Sequence, residues 1–170
     1  MSEVIVPRNS NYRCLLDPKG ILPGISMVPC RSELYEGEAF DVLSTDGQIV
    51  VTAALESSRK RPKHMFFEGI FRNPEADHIK GVGLATYLLA IELAQDRGVT
   101  FCSSEVALTE HAINIWNKLV SCGIARQIDK AVMIDTDPDG TKVYNANFEV
   151  ITDFTADRPS CTPGYQGANL

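Results

Sequence analysis

The octapeptide His78-Ile79-Lys80-Gly81-Val82-Gly83-Leu84-Ala85 decides the fold of this chain. It follows a predicted strand at 64–72 and opens the strongest predicted helix, 81–97. Its two glycines let the backbone approach a ligand closely, and the free amides of the first helical turn point outward where the helix dipole is positive. Lys80 adds a mobile positive charge. Together these features predict a pyrophosphate site at a helix N-terminus.

The glycine spacing alone is not specific to one class of ligand. A dinucleotide-binding fingerprint would need a third glycine where Thr86 stands, and the sequence lacks the glycine and lysine pattern of a P-loop. Both nucleotide-binding interpretations therefore lose support. On the octapeptide alone, a ligand site and a glycine pair that eases the packing of a helix against a strand explain the residues equally well.

Hydrophobic periodicity predicts the elements around the octapeptide. Alternating apolar residues indicate strands, and a repeat of 3.6 residues indicates helices. The predicted strands are 39–44, 48–55, 64–72, 99–106, 125–135 and 141–152, and the predicted helices are 81–97 and 110–122. The fold class is therefore α/β, with a mixed, mostly antiparallel sheet and a central β-α-β crossover.

Prolines and glycines interrupt both ends of the chain. Four prolines and three glycines fall within residues 1–37, so this segment is expected to be irregular, with any helix short and a short strand at 3–7. Residues 38–152 form the predicted core domain. Residues 153–170 carry little apolar material and are expected to form a flexible C-terminal tail.

The octapeptide resembles the acyl-CoA-binding motif of the GNAT superfamily of N-acetyltransferases. That motif is Gln or Arg, two residues, Gly, one residue, then Gly or Ala; His78 stands in the first place, and Gly81 and Gly83 stand in theirs. The helix from Ala112 to Gly123 resembles the family's A-x-x-x-Y-x-K-L-G-F helix. The order of elements from 38 to 151 also fits, so the resemblance covers roughly two-thirds of the chain.

The resemblance implies a GNAT-like acyl-CoA acyltransferase fold in which pantetheine lies between strands 64–72 and 99–106. The pyrophosphate would bind the amides from Ile79 to Ala85, and the pantetheine amides would pair with backbone near Phe71 or Arg72. The residues that the resemblance assigns to acyl-CoA are Phe71, Arg72, His78, Ile79, Lys80, Gly81, Val82, Gly83, Leu84, Ala85, Thr109 and Trp116.

Attack of an amine on a thioester requires the amine, whose pKa is near ~10, to lose a proton. Glu68 is the first candidate base, because its predicted strand face is apolar and such a setting would raise the pKa of the carboxyl. A rim carboxylate on a half-exposed strand is the competing interpretation. Glu105 is the second candidate base, and Ser104, together with Ser103, could position a water.

Trp116 stands where many members of the family carry a tyrosine that protonates the leaving thiolate. An indole N–H donates hydrogen bonds but has no usable acidity. Either the thiolate leaves without that acid, or the protein does not acetylate.

The resemblance implies an acyl-CoA-dependent N-acyltransferase that transfers acetyl from acetyl-CoA, by direct attack, to an amine of a small molecule or a protein, without a metal. Two alternatives remain open. One is a non-catalytic GNAT-like module that binds CoA or a protein, favoured by Trp116 and by the irregular N-terminal segment. The other is a relative of the acyl-homoserine-lactone synthases, which share the fold.

The composition narrows the classes of partner. Lys plus Arg is 16 and Asp plus Glu is 22 over 170 residues, a formal charge of −6; this disfavours nucleic acid and mildly favours cationic amines. Five widely spaced cysteines without a C-x-x-C predict neither a zinc site nor a disulfide framework. The sequence has no signal-peptide pattern and no apolar run of membrane length, so a cytoplasmic protein is expected. The predicted hairpin at 125–151 offers edges that could pair in a homodimer.

Overall fold

The computed structural model describes residues 4–30 and 37–153. Almost all of the predicted C-terminal tail, and part of the N-terminal segment, therefore lie outside the described residues. Within the described part, no helix is long and apolar enough to cross a membrane.

Five strands form the larger sheet, in the spatial order β1-β2-β3-β4-β5. Neighbouring strands are antiparallel except for the last pair, in which β4 and β5 are parallel. These strands are β1 (Ile25–Pro29), β2 (Glu38–Ser44), β3 (Ile49–Ser57), β4 (His64–Arg72) and β5 (Thr100–Phe101).

Three strands form the smaller, antiparallel sheet, in the spatial order β6-β8-β7. These strands are β6 (Leu108–Thr109), β7 (Ala125–Thr136) and β8 (Lys142–Val150). The α-helices of the described residues are α1 (Asn11–Leu16), α2 (Val82–Asp96) and α3 (Glu110–Ser121). The crossover β4-α2-β5 joins the parallel pair. The predicted α/β fold, mostly antiparallel with one central crossover, is confirmed.

Helix α2 is the centre of the hydrophobic core. Eleven of its fifteen residues are buried, since α1 and the larger sheet both contact it. A helix covered on several sides is hydrophobic nearly all round, and this explains why two apolar stripes run along it in the sequence. Gly98, with φ of +67°, supplies the left-handed residue after its C-terminus.

Helix α3 packs against the smaller sheet. The Thr109 side chain accepts a hydrogen bond from the Ala112 amide at 3.2 Å and so caps the N-terminus, as predicted. The apolar face includes Ile115, Trp116 and Leu119, all buried. This face holds α3 beside the end of β5.

The segment expected to be irregular contains two ordered elements. Ser10 caps α1 by accepting a hydrogen bond from the Arg13 amide, and β1 pairs with β2 along its whole length. Tyr12 and Met27 are buried in the core. The apolar residues of this proline-rich segment were too few and too scattered to produce a periodic signal, and burial against α2 and β2 orders them.

The strand predicted at 99–106 is shorter than expected. Only Thr100 and Phe101 pair with β4; Cys102 then bridges Glu149 on β8. The Ser103 amide donates to the Phe148 carbonyl at 2.9 Å, and the Ser103 hydroxyl accepts from the Phe148 amide at 2.9 Å. The chain ends its pairing with β4 because it changes partner from the larger sheet to the smaller one.

The described cysteines differ in state. Cys30, Cys102 and Cys122 are free thiols, whereas Cys14 is disulfide-bonded. The bond at Cys14 departs from the expectation of a chain without disulfides.

Candidate functional site

The two sheets separate at a gap beside β4. Strands β4 and β5 pair only at His64 with Thr100 and at Met65 with Phe101. Beyond these pairs β4 continues to Arg72, while the segment that follows β5 pairs with β8 instead. Backbone groups on that edge of β4 are therefore left without a strand partner, which is where an extended ligand could pair with them.

A cavity of about 300 Å³ fills this gap. Four aromatic rings line it: Phe67, Tyr87, Phe101 and Trp116. Phe67 meets Tyr87 and Phe101 edge to face, with ring centroids 5.0 Å and 5.2 Å apart. The remaining lining residues are Val51, Glu68, Gly69, Ile70, Arg72, Gly83, Cys102, Ser103, Ser104, Ala107, Leu108, Thr109, His111, Ala112 and Ile115.

Glu68 lies at a β-bulge in the middle of β4. Gly69 pairs with Ala54 and Phe67 pairs with Leu55, so that Glu68 has no partner residue on β3. A bulge re-aims the side chain of its extra residue and is common beside active sites. Glu68 is exposed and lines the cavity; the expectation of an apolar strand face around it is wrong, because the extra residue interrupts the alternation.

The N-terminus of α2 opens beside the cavity. Gly81, the N-cap, adopts a left-handed backbone with φ of +79°, and no side chain caps this helix. Its first free amides are therefore available to a ligand. Gly83 lines the cavity, and a Cβ added there would lie 3.4 Å from both His111 Nε2 and Ile115 Cδ1.

Arg72 joins the end of β4 to the loop before α2. Its Nη2 donates to the Ile79 carbonyl at 2.7 Å, and its Nε lies 3.4 Å from Asp77 Oδ1. The guanidinium is about one-third exposed and lines the cavity. A cation therefore stands at the mouth of the cavity next to the uncapped helix.

The structure brings some of the predicted site residues together around the cavity and leaves others outside its lining. The predicted residues that line it are Glu68, Arg72, Gly83, Ser104, Thr109 and Trp116. Those that do not are Phe71, His78, Ile79, Lys80, Gly81, Val82, Leu84, Ala85 and Glu105.

The predicted site residues that do not line the cavity have different surroundings. Glu105 accepts a hydrogen bond from the Ser58 hydroxyl, and Phe71 is exposed. Val82 and Ala85 are buried in the core, so their side chains are withdrawn from a ligand that would meet only backbone amides at this helix end.

Tyr87 is one of the cavity residues that sequence reasoning missed. It lies four residues after Gly83, one turn further along the same face of α2. That spacing was the available signal, but Tyr87 read as one more apolar residue of a buried helix. Burial raises the pKa of the Tyr87 hydroxyl well above its ordinary value. Burial likewise raises the pKa of the Cys102 thiol, to about 11, so Cys102 is a neutral thiol rather than a nucleophile.

Trp116 is wedged between two other aromatic rings. It stacks on Phe101 at 5.7 Å and on Phe148 at 5.5 Å between ring centroids. Its indole N–H is buried and makes no hydrogen bond of normal geometry. The Tyr87 hydroxyl is near enough to the indole N–H for the two groups to interact, but their geometry is not that of a hydrogen bond. An unpaired buried donor costs about 1–3 kcal/mol, so a bound acceptor would relieve it.

No family model and no curated protein matches this sequence. Solved structures do match. The chain is 13% identical to the ribosomal-protein-S18-alanine N-acetyltransferase of Escherichia coli, with 92% of this chain and 98% of that chain covered and a TM-score of 0.51. The chain is also 7% identical to a structure named as an acetyltransferase of Sphaerobacter thermophilus, with 76% of this chain and 93% of that chain covered and a TM-score of 0.52.

The match to a third structure is partial. The spermidine/spermine N-acetyltransferase SpeG of Vibrio cholerae is 12% identical, with a TM-score of 0.48, 66% of this chain and 64% of that chain covered. The match thus spans less than two-thirds of that protein's length. At these identities the likenesses establish the fold.

Proposed function

We propose that this chain, whose fold is that of the GNAT N-acetyltransferases, is an acyl-CoA-dependent N-acyltransferase that uses acetyl-CoA and an amine of a small molecule or a protein. The chemistry is direct attack of the amine nitrogen on the thioester carbon. The proposal is supported by one observation above all: a cavity between separated strands continues directly to an uncapped helix N-terminus.

The cavity suits the pantetheine arm of acyl-CoA. Its apolar walls would accept the methylene groups, and the unpaired edge of β4 near Phe71 and Arg72 offers backbone groups to the two amides. Thr109 and Trp116 line the opposite side. An extended chain with alternating amides binds a free strand edge in the way that an added strand does.

The first turn of α2 suits the pyrophosphate. The amides from Ile79 to Ala85 lie at the positive end of the helix dipole, with no competing side-chain cap. Arg72 and Lys80 contribute positive charge on the same side, and His78 stands at the start of the loop. Because Gly83 has no side chain, a phosphate oxygen can approach the backbone there.

Glu68 is the proposed base for the amine. It is exposed at the bulge and lines the cavity, so it can receive an amine proton directly or through a water held by Ser104. Ser103 is less suitable than expected, because its hydroxyl is buried and already accepts from the Phe148 amide. A carboxylate in contact with solvent can also attract the protonated amine before attack. Glu105, which accepts from Ser58, is a weaker candidate because it does not line the cavity.

Titration calorimetry with acetyl-CoA tests the phosphate site. Gly83→Asp places a carboxylate where the pyrophosphate would bind, and we expect affinity to fall tenfold or more, about 1.4 kcal/mol. Gly83→Asn is the matched control, since it has the same bulk without the charge, and its loss should be smaller. The space around Gly83 admits a Cβ at ordinary contact distance, so both variants should fold. Unchanged affinity in folded Gly83→Asp would refute the site.

Thiol release from acetyl-CoA separates the enzyme from a binding module. The amine panel should include polyamines, free amino acids, peptides with an N-terminal alanine and peptides with lysine. Turnover with any of them supports the acyltransferase. Binding of acetyl-CoA without thiol release across the panel would favour the non-catalytic module. Trp116, in the place of the family's tyrosine, favours that alternative.

A further inference from the structure

We propose that the Tyr87 hydroxyl and the Trp116 indole N–H both donate hydrogen bonds to the departing CoA sulfur and so stabilise it as a thiolate. The inference rests on the acyltransferase function proposed above. It assigns a catalytic role to a residue of α2 for which the sequence analysis predicted none.

The reaction develops a negative charge on sulfur, which hydrogen-bond donors stabilise. The amine nitrogen forms a bond to the thioester carbon, the carbon–sulfur bond breaks, and its electron pair goes to sulfur. One proton leaves the amine nitrogen toward Glu68 or a water. The sulfur leaves as a thiolate held by the two donors; the proton lost by the amine passes to solvent, and the thiolate takes a proton from solvent when CoA is released, so that amine and acetyl-CoA become amide and CoA thiol.

The position of Tyr87 fits this task. It lies one helical turn beyond Gly83 and lines the same cavity, so it faces the part of the ligand that follows the phosphates. Rings hold it in place: Phe67, Phe101 and Trp116 each meet it near edge to face, with centroids 5.0, 5.9 and 5.9 Å away. Its side chain is thus fixed, while its hydroxyl has no hydrogen bond of normal geometry within the described part of the chain.

Trp116 supplies the second donor. Its N–H is buried, unpaired and close to the Tyr87 hydroxyl. Two donors that line one cavity, one of them buried and unpaired, favour an acceptor that can take both, and a thiolate is such an acceptor. Neither donor has to transfer its proton, because a hydrogen bond to the charged form is enough to stabilise the negative charge on sulfur.

Other ionisable groups of the cavity are less suitable. These groups are Glu68 and Arg72 on β4, Cys102 after β5 and His111 on α3. Glu68 is assigned to the amine, Arg72 stays charged, and His111 lies against Gly83, one turn nearer the phosphates than Tyr87. Burial keeps both Cys102 and Tyr87 protonated at neutral pH, but a thiol is a weak hydrogen-bond donor.

The ionisation of the CoA thiol in its complex with the protein tests the inference without an amine. Thiolate absorbance is followed against pH for the CoA complex, with the desulfo-CoA complex as the blank that removes protein tyrosines and cysteines. A free thiol has a pKa near ~8.5. Because hydrogen bonds to the charged form lower a pKa, we expect a value at least one unit lower in the wild-type complex.

Tyr87→Phe keeps the ring and removes only the hydroxyl, so we expect the bound thiol pKa to rise by at least one unit, a tenfold change in the ionisation constant. Trp116→Phe should raise it less. Tyr144→Phe, on β8 and outside the cavity lining, is the matched control and should leave it unchanged. With an amine that turns over, Tyr87→Phe should lower kcat tenfold or more at unchanged KM for acetyl-CoA.

The outcomes are distinct. A bound thiol pKa that is equal in the wild type and in folded Tyr87→Phe refutes the role of Tyr87 and leaves the acyltransferase intact. Absence of any CoA binding to the wild type refutes the acyltransferase, and the inference with it. A rise confined to Tyr87→Phe and Trp116→Phe supports the donor pair.

Discussion

Arg72 Nη2 donates a hydrogen bond of 2.7 Å to the carbonyl oxygen of Ile79. The last residue of β4 thereby holds the loop that leads into α2, and the open strand edge and the uncapped helix end are kept in one arrangement. The contact links the two halves of the proposed acyl-CoA site.

Replacement of Arg72 should therefore weaken acetyl-CoA binding. Arg72→Met removes the tether and a positive charge at the mouth of the cavity, and we expect about a fivefold loss of affinity, near 1 kcal/mol. Arg97→Met is a suitable control, because Arg97 is equally exposed but pairs with Glu38. Titration calorimetry measures both; equal affinities for the two variants would contradict the role of the tether.

Glu68→Gln should slow acyl transfer without weakening acetyl-CoA binding. The amide keeps the shape but cannot accept a proton, so the rate should fall by roughly 10²–10⁴. High pH should restore part of the loss, since more of the amine is then already neutral. A pH–rate profile with any accepted amine measures this.

Glu105→Gln is the control for Glu68. Its carboxylate accepts a hydrogen bond from Ser58 and does not line the cavity, so its rate should stay within a few-fold of wild type. A large loss in Glu105→Gln together with a near-normal Glu68→Gln would reverse the order of the two candidate bases.

Glu92 should be important for stability. It is buried on α2, pairs with Arg13 and accepts a hydrogen bond from the Ser10 hydroxyl at 2.7 Å. Glu92→Ala leaves both partners without their acceptor, and removing one member of a buried pair costs about 3 kcal/mol. Urea unfolding should show this loss. Asp96→Ala, which breaks the exposed pair with Arg8, should cost less than about 1 kcal/mol.

Cys102 should resist alkylation at pH 8. Burial raises the pKa of its thiol to about 11, so only about one molecule in a thousand carries the reactive thiolate at that pH. Mass spectrometry after treatment with iodoacetamide should find Cys122 modified before Cys102. Reactivity of Cys102 should increase as the pH rises toward 11, and rapid labelling at pH 8 would contradict its burial.

Local patterns predicted the elements whose signal lies within a single stretch. Strand β4 occupies the predicted residues 64–72, and α2 begins and ends within one residue of the predicted 81–97. Both combine a clear period with glycine or asparagine–proline breaks at their ends. The octapeptide was also found this way, because a glycine pair at a helix start is a local feature.

Long-range pairing determined what the sequence could not reveal. The bulge at Glu68 exists only relative to β3, so strict alternation along β4 gave the wrong surroundings for that carboxylate. The early end of β5 follows from the pairing of Ser103 with Phe148, 45 residues away. Tyr87 became a cavity residue only when α2 was placed beside the gap.

Trp116 is the only tryptophan of the chain, and it lies in the wall of the cavity. The tryptophan fluorescence of the unmodified protein therefore comes from one indole at the candidate site. Excitation at the red edge of indole absorption would report on occupancy of the cavity in real time, since a new acceptor on the N–H or displaced water alters the emission of that ring. Trp116 emission can thus be used to detect binding of the ligands by which the function of the protein can be identified.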